Sequence, residues 1–426
     1  MDFEDSSKFS IQLLSTLPST SAMDIPTLSV KDMEEMKTDP HSVYRKYRNM
    51  YPVVFNEKGS YAVLRHADVQ CLSKDPRLCA IETIYPEMFG VTSGALFSFF
   101  EQGMLTTNGE SHRRRRSPFT KLSLRQTVED MRPVVRQTAN DLIDSWYENG
   151  QVEFIEGFSA QLPSCIIGDF LGLPRADTSY FSKLTHEMGK FLNIGVSSDE
   201  VSNAKSAASD LKDYIEQKII ERRKNPRDDY LSVFLKANDE SSQLSQLEFV
   251  FQIMVLIIGG TDTTRTTIAI TIALLLQYPE QWKAVCQDPR LIPNAVAESM
   301  RYEPVVSAIA RKTLEVINID GAIIPANALV SLSTMSAMRD KQVYDRPDIF
   351  DIYREKRDRV HPIFGAGVHR CLGEALARIE LEEALAVFSV RIPHVQLNYQ
   401  PMISGNTGAL RRIDSMELSW SNQNSL

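Results

Sequence analysis

The sequence predicts a mainly α-helical protein with small β-sheets, folded as a single domain. Apolar residues recur at spacings of three and four over most of the chain after about residue 109, as in helices packed against a core. Two patches rich in β-branched residues surround turn sequences and indicate strands. Neither an internal repeat nor a long linker divides the 426 residues. One domain is therefore expected over residues 26–426, after a loosely ordered segment at residues 1–25 that is rich in Ser, Thr and acidic residues.

The elements can be placed in chain order. Residues 53–65 predict a β-hairpin with its turn at residues 56–59. Helical spacing covers the following segments: 122–146, 203–223, 246–277, 279–287 and 293–303. A second β-rich patch over residues 316–333 turns at Asp320-Gly321. A last helix follows Cys371 and runs to about Val390, and short strands are expected in the tail.

Composition and charge describe a globular protein with an acidic surface. Hydrophobic residues make up 43% of the chain, charged residues 24%, and the formal net charge is −8. Nucleic-acid binders depend on a basic surface, so the net charge argues against that class. The five cysteines are odd in number, lack paired zinc-ligand spacing, and fit a reducing cytoplasm. The N-terminus has neither the basic nor the apolar region of a signal peptide.

The longest apolar stretch, residues 249–276, predicts a buried helix. Asp262, Arg265 and several threonines interrupt it, so its uncharged pieces are too short to span a bilayer. No membrane anchor is expected, and the predicted location is the cytoplasm.

Cys371 is the first candidate functional residue. It lies between glycines, immediately before an amphipathic helix. The free backbone N–H groups and the positive end of the helix dipole favour a thiolate there. The glycines let the backbone pass close to a flat ligand. The alternative is a buried structural cysteine beside a glycine turn.

The residues around Cys371 resemble the haem-binding loop of the cytochrome P-450 superfamily, F-G-x-G-x-H-x-C-x-G. All six fixed positions match: Phe364, Gly365, Gly367, His369, Cys371 and Gly373. The resemblance implies that Cys371 is the axial ligand of the iron in haem b, and such a thiolate favours O–O bond cleavage. It also implies the single-domain P-450 fold, with haem between a long oxygen-activating helix and the cysteine-loop helix.

A second motif, residues 259–264, interrupts the long apolar helix. Its two glycines cost the helix about 1–2 kcal/mol relative to alanine, and a buried Asp262 adds a desolvation cost. The motif resembles the oxygen-activating stretch of the superfamily, [A/G]-G-x-[D/E]-T. The resemblance implies that Thr263 holds dioxygen and a water by hydrogen bonds, while Asp262 relays protons from solvent. The alternative is a polar stripe in a kinked helix.

A third motif pairs Glu298 with Arg301, which share one helix face. Such pairs are common on solvated surfaces, so the spacing alone is weak. Its position upstream of Cys371 resembles the E-x-x-R helix of the superfamily, usually tied to an arginine in a following meander. Residues 346–351 resemble that meander. The pair is expected to be structural and buried.

The fourth motif is a cationic cluster at residues 112–116. Guanidinium groups form bidentate bonds with carboxylates such as haem propionates. The cluster resembles the H-x-x-x-R motif, which implies that His112 and Arg116 bind the propionates, with Arg311 and His369 at the other two propionate positions. Residues 113–115 are expected to face outward and steer an acidic ferredoxin. A solvated helix start or a nucleic-acid patch are the alternatives.

The substrate pocket is expected along the helix before Thr263 and the segment after Arg301, and in the stretch 81–105. The candidates are apolar: Val255, Ile258, Gly259, Val306, Ala308 and Ile309, with the aromatic residues Tyr85, Phe89, Phe97 and Phe100. The aromatic residues fit the core equally well. An apolar lining favours a terpenoid, steroid, polyketide or fatty-acyl substrate.

The resemblance implies a soluble, bacterial-type monooxygenase that inserts one atom of O₂ into such a substrate. The sequence contains no Rossmann glycine fingerprint and no four-cysteine cluster, so a separate ferredoxin and ferredoxin reductase are expected to supply electrons. Two alternatives remain: a peroxygenase driven by H₂O₂, disfavoured by Asp262 and Thr263, and a non-catalytic haem carrier or sensor.

Overall fold

The computed structural model describes residues 23–56, 59–122, 128–192, 196–241, 243–355 and 362–421. Most of the segment predicted to be loosely ordered, residues 1–25, lies outside the described residues. Its last residues are held in place, because Met23 donates its backbone N–H to the Gly321 carbonyl at 2.9 Å and Ile25 packs against a buried cluster.

Helices dominate the fold, as predicted. The described residues contain the following α-helices: α1 (Val30–Thr38), α2 (Pro40–Arg48), α3 (His66–Leu72), α4 (Ile84–Met88), α5 (Gly94–Gln102), α6 (Gly109–Leu122), α7 (Arg132–Asp144), α8 (Gln161–Leu171), α9 (Thr178–Phe191), α10 (Ser198–Lys224), α11 (Tyr230–Ser241), α12 (Gln246–Gln277), α13 (Pro279–Gln287), α14 (Ile292–Tyr302), α15 (Thr334–Ala337) and α16 (Glu374–Arg391). The predicted bounds of α12 and α13 agree with the structure. The segment predicted at 122–146 corresponds to α7, which is shorter, with residues 123–127 outside the described part.

The strands are short and form small sheets. They are β1 (Val53–Asn56), β2 (Ser60–Val63), β3 (Leu78–Cys79), β4 (Gln151–Glu153), β5 (Ile309–Thr313), β6 (Ile317–Ile319), β7 (Ala322–Ile324), β8 (Leu329–Leu332), β9 (Gln396–Leu397), β10 (Ile403–Ser404), β11 (Arg412–Ile413) and β12 (Glu417–Ser419). The largest sheet has the order β1-β2-β8-β5-β3, in which only the β2–β8 pairing is parallel. The others have the orders β4-β12-β9, β6-β7 and β10-β11.

Both predicted hairpins are present. In the first, Val53 pairs with Val63 across antiparallel β1 and β2. In the second, β6 and β7 are joined at Asp320 and Gly321, whose φ angles are 50° and 91°. Left-handed backbone at both central positions is typical of a type I′ turn, which Asp-Gly sequences favour.

Helix α12 is the central element. A capping box between Ser245 and Glu248 starts it, and it packs against α5, α8, α9, α10, α14 and α16. Among the described residues it alone is long and apolar enough to cross a membrane, yet 67% of its most apolar 18 residues are buried within the protein. It is therefore an internal helix, as the sequence predicts.

Two hydrophobic clusters meet along α12. Its apolar residues up to Ile258 belong to one cluster, which we call the distal cluster, together with α5, α8, α9 and α10. Those from Ile268 onward belong to a second, the proximal cluster, together with α7, α14 and α16. Residues 259–267 belong to neither cluster, so the polar motif of α12 lies where the two cores adjoin.

Glu298 and Arg301 form a buried ion pair on α14, as predicted. The Arg301 Nε and Nη2 atoms donate to the two carboxylate oxygens of Glu298 at 2.7 Å each. Arg301 also donates to the carbonyls of Met338, Pro347 and Ile349 at 2.8–3.1 Å. The pair therefore fastens the meander to α14.

The arginine that completes this network lies outside the predicted meander, residues 346–351. Arg354 Nε donates to Glu298 Oε2 at 3.1 Å. Arg346 is 62% exposed and pairs instead with Asp345 and Asp351.

Arg354→Ala should lower the free energy of unfolding by about 1.5–3 kcal/mol, because a buried carboxylate loses a charged hydrogen-bond partner. Arg346→Ala is the matched control and should cost less than about 1 kcal/mol, as exposed ion pairs do. Chemical denaturation of the two variants and the wild type measures the difference. Equal destabilisation by both would contradict the assignment of Arg354.

Candidate active site

The cysteine loop is closed by two glycines and one backbone hydrogen bond. Gly365 and Gly367 both have φ of 65°, a left-handed conformation that side chains with a Cβ rarely adopt. The Cys371 N–H donates to the Phe364 carbonyl at 2.8 Å, which draws the ends of the loop together. Helix α16 then begins at Glu374, with Gly373 as its N-cap. The sulfur is therefore presented beside a helix N-terminus, as predicted.

The position of Cys371 beside a helix N-terminus does not by itself lower the pKa of its thiol. Cys371 keeps an exposed surface, yet the surrounding protein is dense enough that desolvation raises the pKa of its thiol. The backbone N–H of Gly373 and the charge of Arg116 lower the pKa, but by less. Desolvation outweighs these two favourable contributions to the pKa of the thiol. A metal cation bound to the sulfur would supply the missing compensation.

The cysteine loop lies at the same junction as the polar motif of α12. Leu372 packs against the distal cluster, and Phe364 packs against the proximal cluster. The Arg378 guanidinium lies 5.1 Å from the centre of the Phe364 ring, which helps to fix it. Because α16 also packs against α12, Cys371 and residues 259–263 belong to one region of the molecule.

Open space borders α12 at this junction. Gly259 is exposed although its helix is mostly buried, and a Cβ there would meet no atom within 4 Å. Thr263, one turn later on the same face, is partly exposed and donates its hydroxyl to the Gly259 carbonyl at 3.1 Å. On the cysteine side, a Cβ at Gly373 would also meet nothing within 4 Å. The two glycines thus leave room for a ligand that approaches the backbone closely.

Asp262 points away from this open face. Its side chain is 6% exposed and lies against α9. A Cβ added at Gly189 would lie 2.7 Å from Asp262 Oδ2, so the carboxylate occupies space that only a glycine leaves. His186 Nδ1 lies 3.6 Å from Asp262 Oδ1. The predicted acid and alcohol are thus sequence neighbours on different sides of α12.

Four basic side chains converge beside the cysteine loop. His112 and His369 have ring centres 4.1 Å apart, and His112 is 2% exposed with neither ring nitrogen hydrogen-bonded within the described residues. Arg311 is 9% exposed and donates to the Ala310 carbonyl at 2.8 Å. Arg116 donates to the carbonyl of Arg370, which precedes the cysteine. Within the described part of the chain, no carboxylate pairs with Arg116 or Arg311.

The electrostatics of this cluster call for an anion. Burial lowers the pKa of Arg311 to about 10, that of His112 to about 4 and that of His369 to about 3. The mutual repulsion of the four groups lowers the two histidine pKa values further. Burial also lowers the pKa of Arg116. The two histidines are therefore neutral near pH 7, and the two arginines are the cations of the cluster. Buried cations without counter-charges are costly, and a ligand with two carboxylates matches them. The residues therefore fit the haem propionates expected from the sequence.

The remaining arginines of the cluster do not all face outward. Arg114 Nη1 donates to Glu248 Oε2 at 3.0 Å and also bonds the Gln243 carbonyl. Arg115 is 11% exposed and pairs with the same carboxylate at 3.2 Å. Both arginines tie α6 to the start of α12. The expectation that residues 113–115 face outward is therefore wrong for Arg115, whereas the Arg114 side chain stays 37% exposed. Arg113 is exposed.

The predicted pocket residues differ in how far they are exposed. Val255 and Ile258 are 8% and 5% exposed and belong to the distal cluster. In the segment after α14, the partly exposed residues alternate with buried ones: Val306, Ala308 and Ile309 are partly exposed, while Val305 and Ser307 are buried. A Cβ at Gly365 would lie 3.6 Å from Ile309 Cδ1, which places Ile309 against the cysteine loop.

The aromatic residues of the stretch 81–105 pack mainly on one another. Phe100 is 3% exposed and Phe97 packs against the distal cluster. Tyr85 has ring centres of Phe89, Phe191 and Phe100 within 6.0 Å. Its hydroxyl donates to the Phe191 carbonyl at 2.6 Å. These rings join α4 to the end of α9.

Comparison with known proteins places these features in a family. A family model described as Cytochrome P450 matches residues 176–391. The plant-inducible Cytochrome P450-pinF1 of Rhizobium radiobacter is 36% identical over 385 residues, which cover 90% of this chain and 91% of the relative. The solved structure of P450BioI, in complex with acyl carrier protein ligated to hexadec-9Z-enoic acid, superposes with a TM-score of 0.83 at 27% identity, covering 91% of this chain and all of that one. CYP109E1 from Bacillus megaterium, in complex with testosterone, gives 0.80 at 25% identity, covering 91% and 98%.

Arg116→Ala and Arg311→Ala should each weaken haem retention by about tenfold to a hundredfold, since losing one charged hydrogen-bond partner costs about 1.5–3 kcal/mol. Arg113→Ala is the matched control, because Arg113 is exposed on the same helix as Arg116. Haem-to-protein ratios and rates of haem release measure the effect. Haem loss from Arg113→Ala equal to that from Arg311→Ala would contradict a specific role for the buried cations.

Proposed function

The chain belongs to the cytochrome P450 family of oxidoreductases, and we propose that it inserts one atom of O₂ into an apolar small molecule, with electrons from a separate ferredoxin and its reductase. The observation that carries the proposal is the cysteine loop at the junction on α12, where Cys371 is flanked by His112, Arg116, Arg311 and His369 and where the helix leaves Gly259 and Thr263 open. The family implies a haem-thiolate cofactor.

Each group of residues at the junction has a separate task. When bound, haem b supplies the activation of O₂ for insertion into a C–H bond. Cys371 Sγ would be the single protein ligand of its iron, and His112, Arg116, Arg311 and His369 would hold its propionates. The Thr263 hydroxyl, which donates to the Gly259 carbonyl, can accept a hydrogen bond from a water while its proton is so engaged.

The proposed substrate is a lipid-like molecule of the fatty-acyl, steroid, terpenoid or polyketide type. The residues expected to line its pocket, from Val255 to Gly259 and from Val306 to Ile309, are apolar apart from the buried Ser307. Apolar walls recognise such molecules by area and exclude water from the site. Two structural relatives were solved with a carrier-bound fatty acid and with testosterone, which supports the same class here.

We propose O₂ rather than H₂O₂ as the oxidant. Two separate proteins would then deliver the electrons. Asp262 and Thr263 are the residues that a proton-consuming reaction of O₂ requires, and a peroxygenase has no need of them. A carrier or sensor would not need them either. The protein is proposed to act in the cytoplasm, where soluble ferredoxins are available.

The reduced protein should give, on addition of carbon monoxide, the long-wavelength Soret band of thiolate-ligated haem. Cys371→Ala removes the sulfur and should abolish this band even where haem is retained. Cys165→Ala is the matched control. Cys165 is buried within α8, away from the cysteine loop in sequence, and its loss should leave the band unchanged. A folded, haem-loaded wild-type protein without the band would overturn the proposal.

Thr263→Ala should uncouple the reaction by removing the hydroxyl that holds water at the open face. Hexadec-9Z-enoic acid and testosterone serve as the probe substrates, selected by the shift that each causes in the Soret band. With a surrogate ferredoxin and reductase, the variant should bind the probe normally but yield more H₂O₂ and less product per reduced nicotinamide.

The control for Thr263→Ala is Thr271→Ala, two turns further along α12. Thr271 is 2% exposed and its hydroxyl has no hydrogen-bond partner among the described residues. Its loss should leave the product yield unchanged. Equal yields from wild type and Thr263→Ala would remove Thr263 from its proposed role.

A further inference from the structure

Asp262 is the proposed proton donor, yet it has little direct access to solvent. Its side chain is 6% exposed, and its Oδ2 is confined against the backbone of Gly189. A buried carboxylate that delivers a proton at each turnover must recover one from outside. The neighbours of Asp262 therefore determine how the proton arrives.

A small polar recess lies beside Asp262, between α8, α9 and α12. Its lining residues are Ala160, Ser164, Ser182, Thr185, His186, Thr261, Asp262 and Arg265. The hydroxyls of Ser164, Ser182 and Thr185 already form hydrogen bonds. The Ser164 hydroxyl lies 2.8 Å from the Ala160 carbonyl oxygen and 3.0 Å from the Ser182 hydroxyl. The Thr185 hydroxyl donates to the Ser182 carbonyl at 2.8 Å.

Thr261 and Arg265 are committed as well. Thr261 donates back to the Ile257 carbonyl at 2.9 Å. Arg265 donates to Glu156 at 3.2 Å, and a guanidinium does not give up its proton in proteins. Apart from Asp262 itself, His186 is therefore the one residue lining the recess whose side chain can act as both a proton donor and a proton acceptor without breaking a hydrogen bond or ion pair described above.

His186 joins the interior to the surface. Its Nδ1 is buried, has no hydrogen-bond partner among the described residues, and lies 3.6 Å from Asp262 Oδ1. The side chain is 20% exposed, so another part of the ring reaches solvent. A small rotation of the ring, or one water, would complete a hydrogen bond between the two groups.

We propose that His186 is the residue through which Asp262 exchanges protons with solvent. The Nδ1–H of the imidazolium passes its proton to Asp262 Oδ1, which leaves a neutral imidazole protonated on Nε2. A rotation of the ring then brings Nδ1 to solvent, from which it regains its proton. His186 touches neither substrate nor cofactor and acts through Asp262. The inference rests on the proposed function of Asp262 and Thr263.

The kinetic test replaces His186 by glutamine, which keeps a hydrogen-bonding side chain but carries no transferable proton. His186→Gln should slow product formation about tenfold, less than the 10²–10⁴-fold typical of removing a group that transfers the proton directly. The solvent deuterium isotope effect should rise, and the Soret titration with hexadec-9Z-enoic acid should stay unchanged. His394→Gln, at an exposed histidine, is the matched control and should behave as wild type.

A second test uses the resting protein and needs no turnover. The ¹⁵N resonances of the His186 ring, identified by their loss in His186→Gln, report which nitrogen carries the proton. In the carbon monoxide complex the proton should lie on Nδ1, facing Asp262, and Asp262→Ala should shift it toward Nε2.

The outcomes separate the inference from the proposed function. If Asp262→Asn is slow while His186→Gln retains the wild-type rate and isotope effect, the role of His186 is refuted and that of Asp262 stands. An Nδ1 proton that is insensitive to Asp262→Ala also refutes it. If Asp262→Asn forms product at the wild-type rate, the proposed function of Asp262 is refuted, and with it the role of His186 that depends on it.

Discussion

The need to place polar groups inside an apolar helix governs this structure. Helix α12 is buried along most of its length, and a single hydrophobic core would exclude the sequence Gly-Gly-Thr-Asp-Thr-Thr-Arg-Thr-Thr at residues 259–267. The fold accommodates it by building two clusters that meet at that stretch. The cysteine loop spans the same junction, with Phe364 on one side and Leu372 on the other. The candidate active site therefore lies at the junction of the two hydrophobic clusters.

The charges near the cysteine follow from a related constraint. Ordinary proteins pair their buried cations, as Arg301 is paired with Glu298. At the cysteine loop, Arg311 is buried and Arg116 is partly buried, and neither has an acidic partner among the described residues. Such an arrangement is stable only if the counter-charge arrives with a ligand. The propionates of the proposed haem would supply that counter-charge, so haem binding should stabilise the folded protein.

The sequence predicted local elements and motif residues well, because both depend on residues that are close together in the chain. The bounds of α12, the Asp320-Gly321 turn and the burial of Glu298 with Arg301 are of this kind. It did not predict contacts between distant segments. Arg354, rather than an arginine in 346–351, completes the Glu298 network, and Arg114 and Arg115 bind Glu248. Nor did it predict the raised pKa of the Cys371 thiol. Desolvation depends on protein that surrounds the thiol in the folded structure, whereas the helix dipole is determined by the adjacent sequence.

The orientation of neighbouring side chains on α12 has an evolutionary consequence. Successive helical residues point about 100° apart, so Asp262 faces α9 while Gly259 and Thr263 border the open space. The helix therefore separates the proposed substrate face from the proposed proton-delivery face. Substitutions that reshape the first face for a new substrate need not disturb the second. Under these proposed roles, selection could diversify the substrate while the supply of protons stays unchanged.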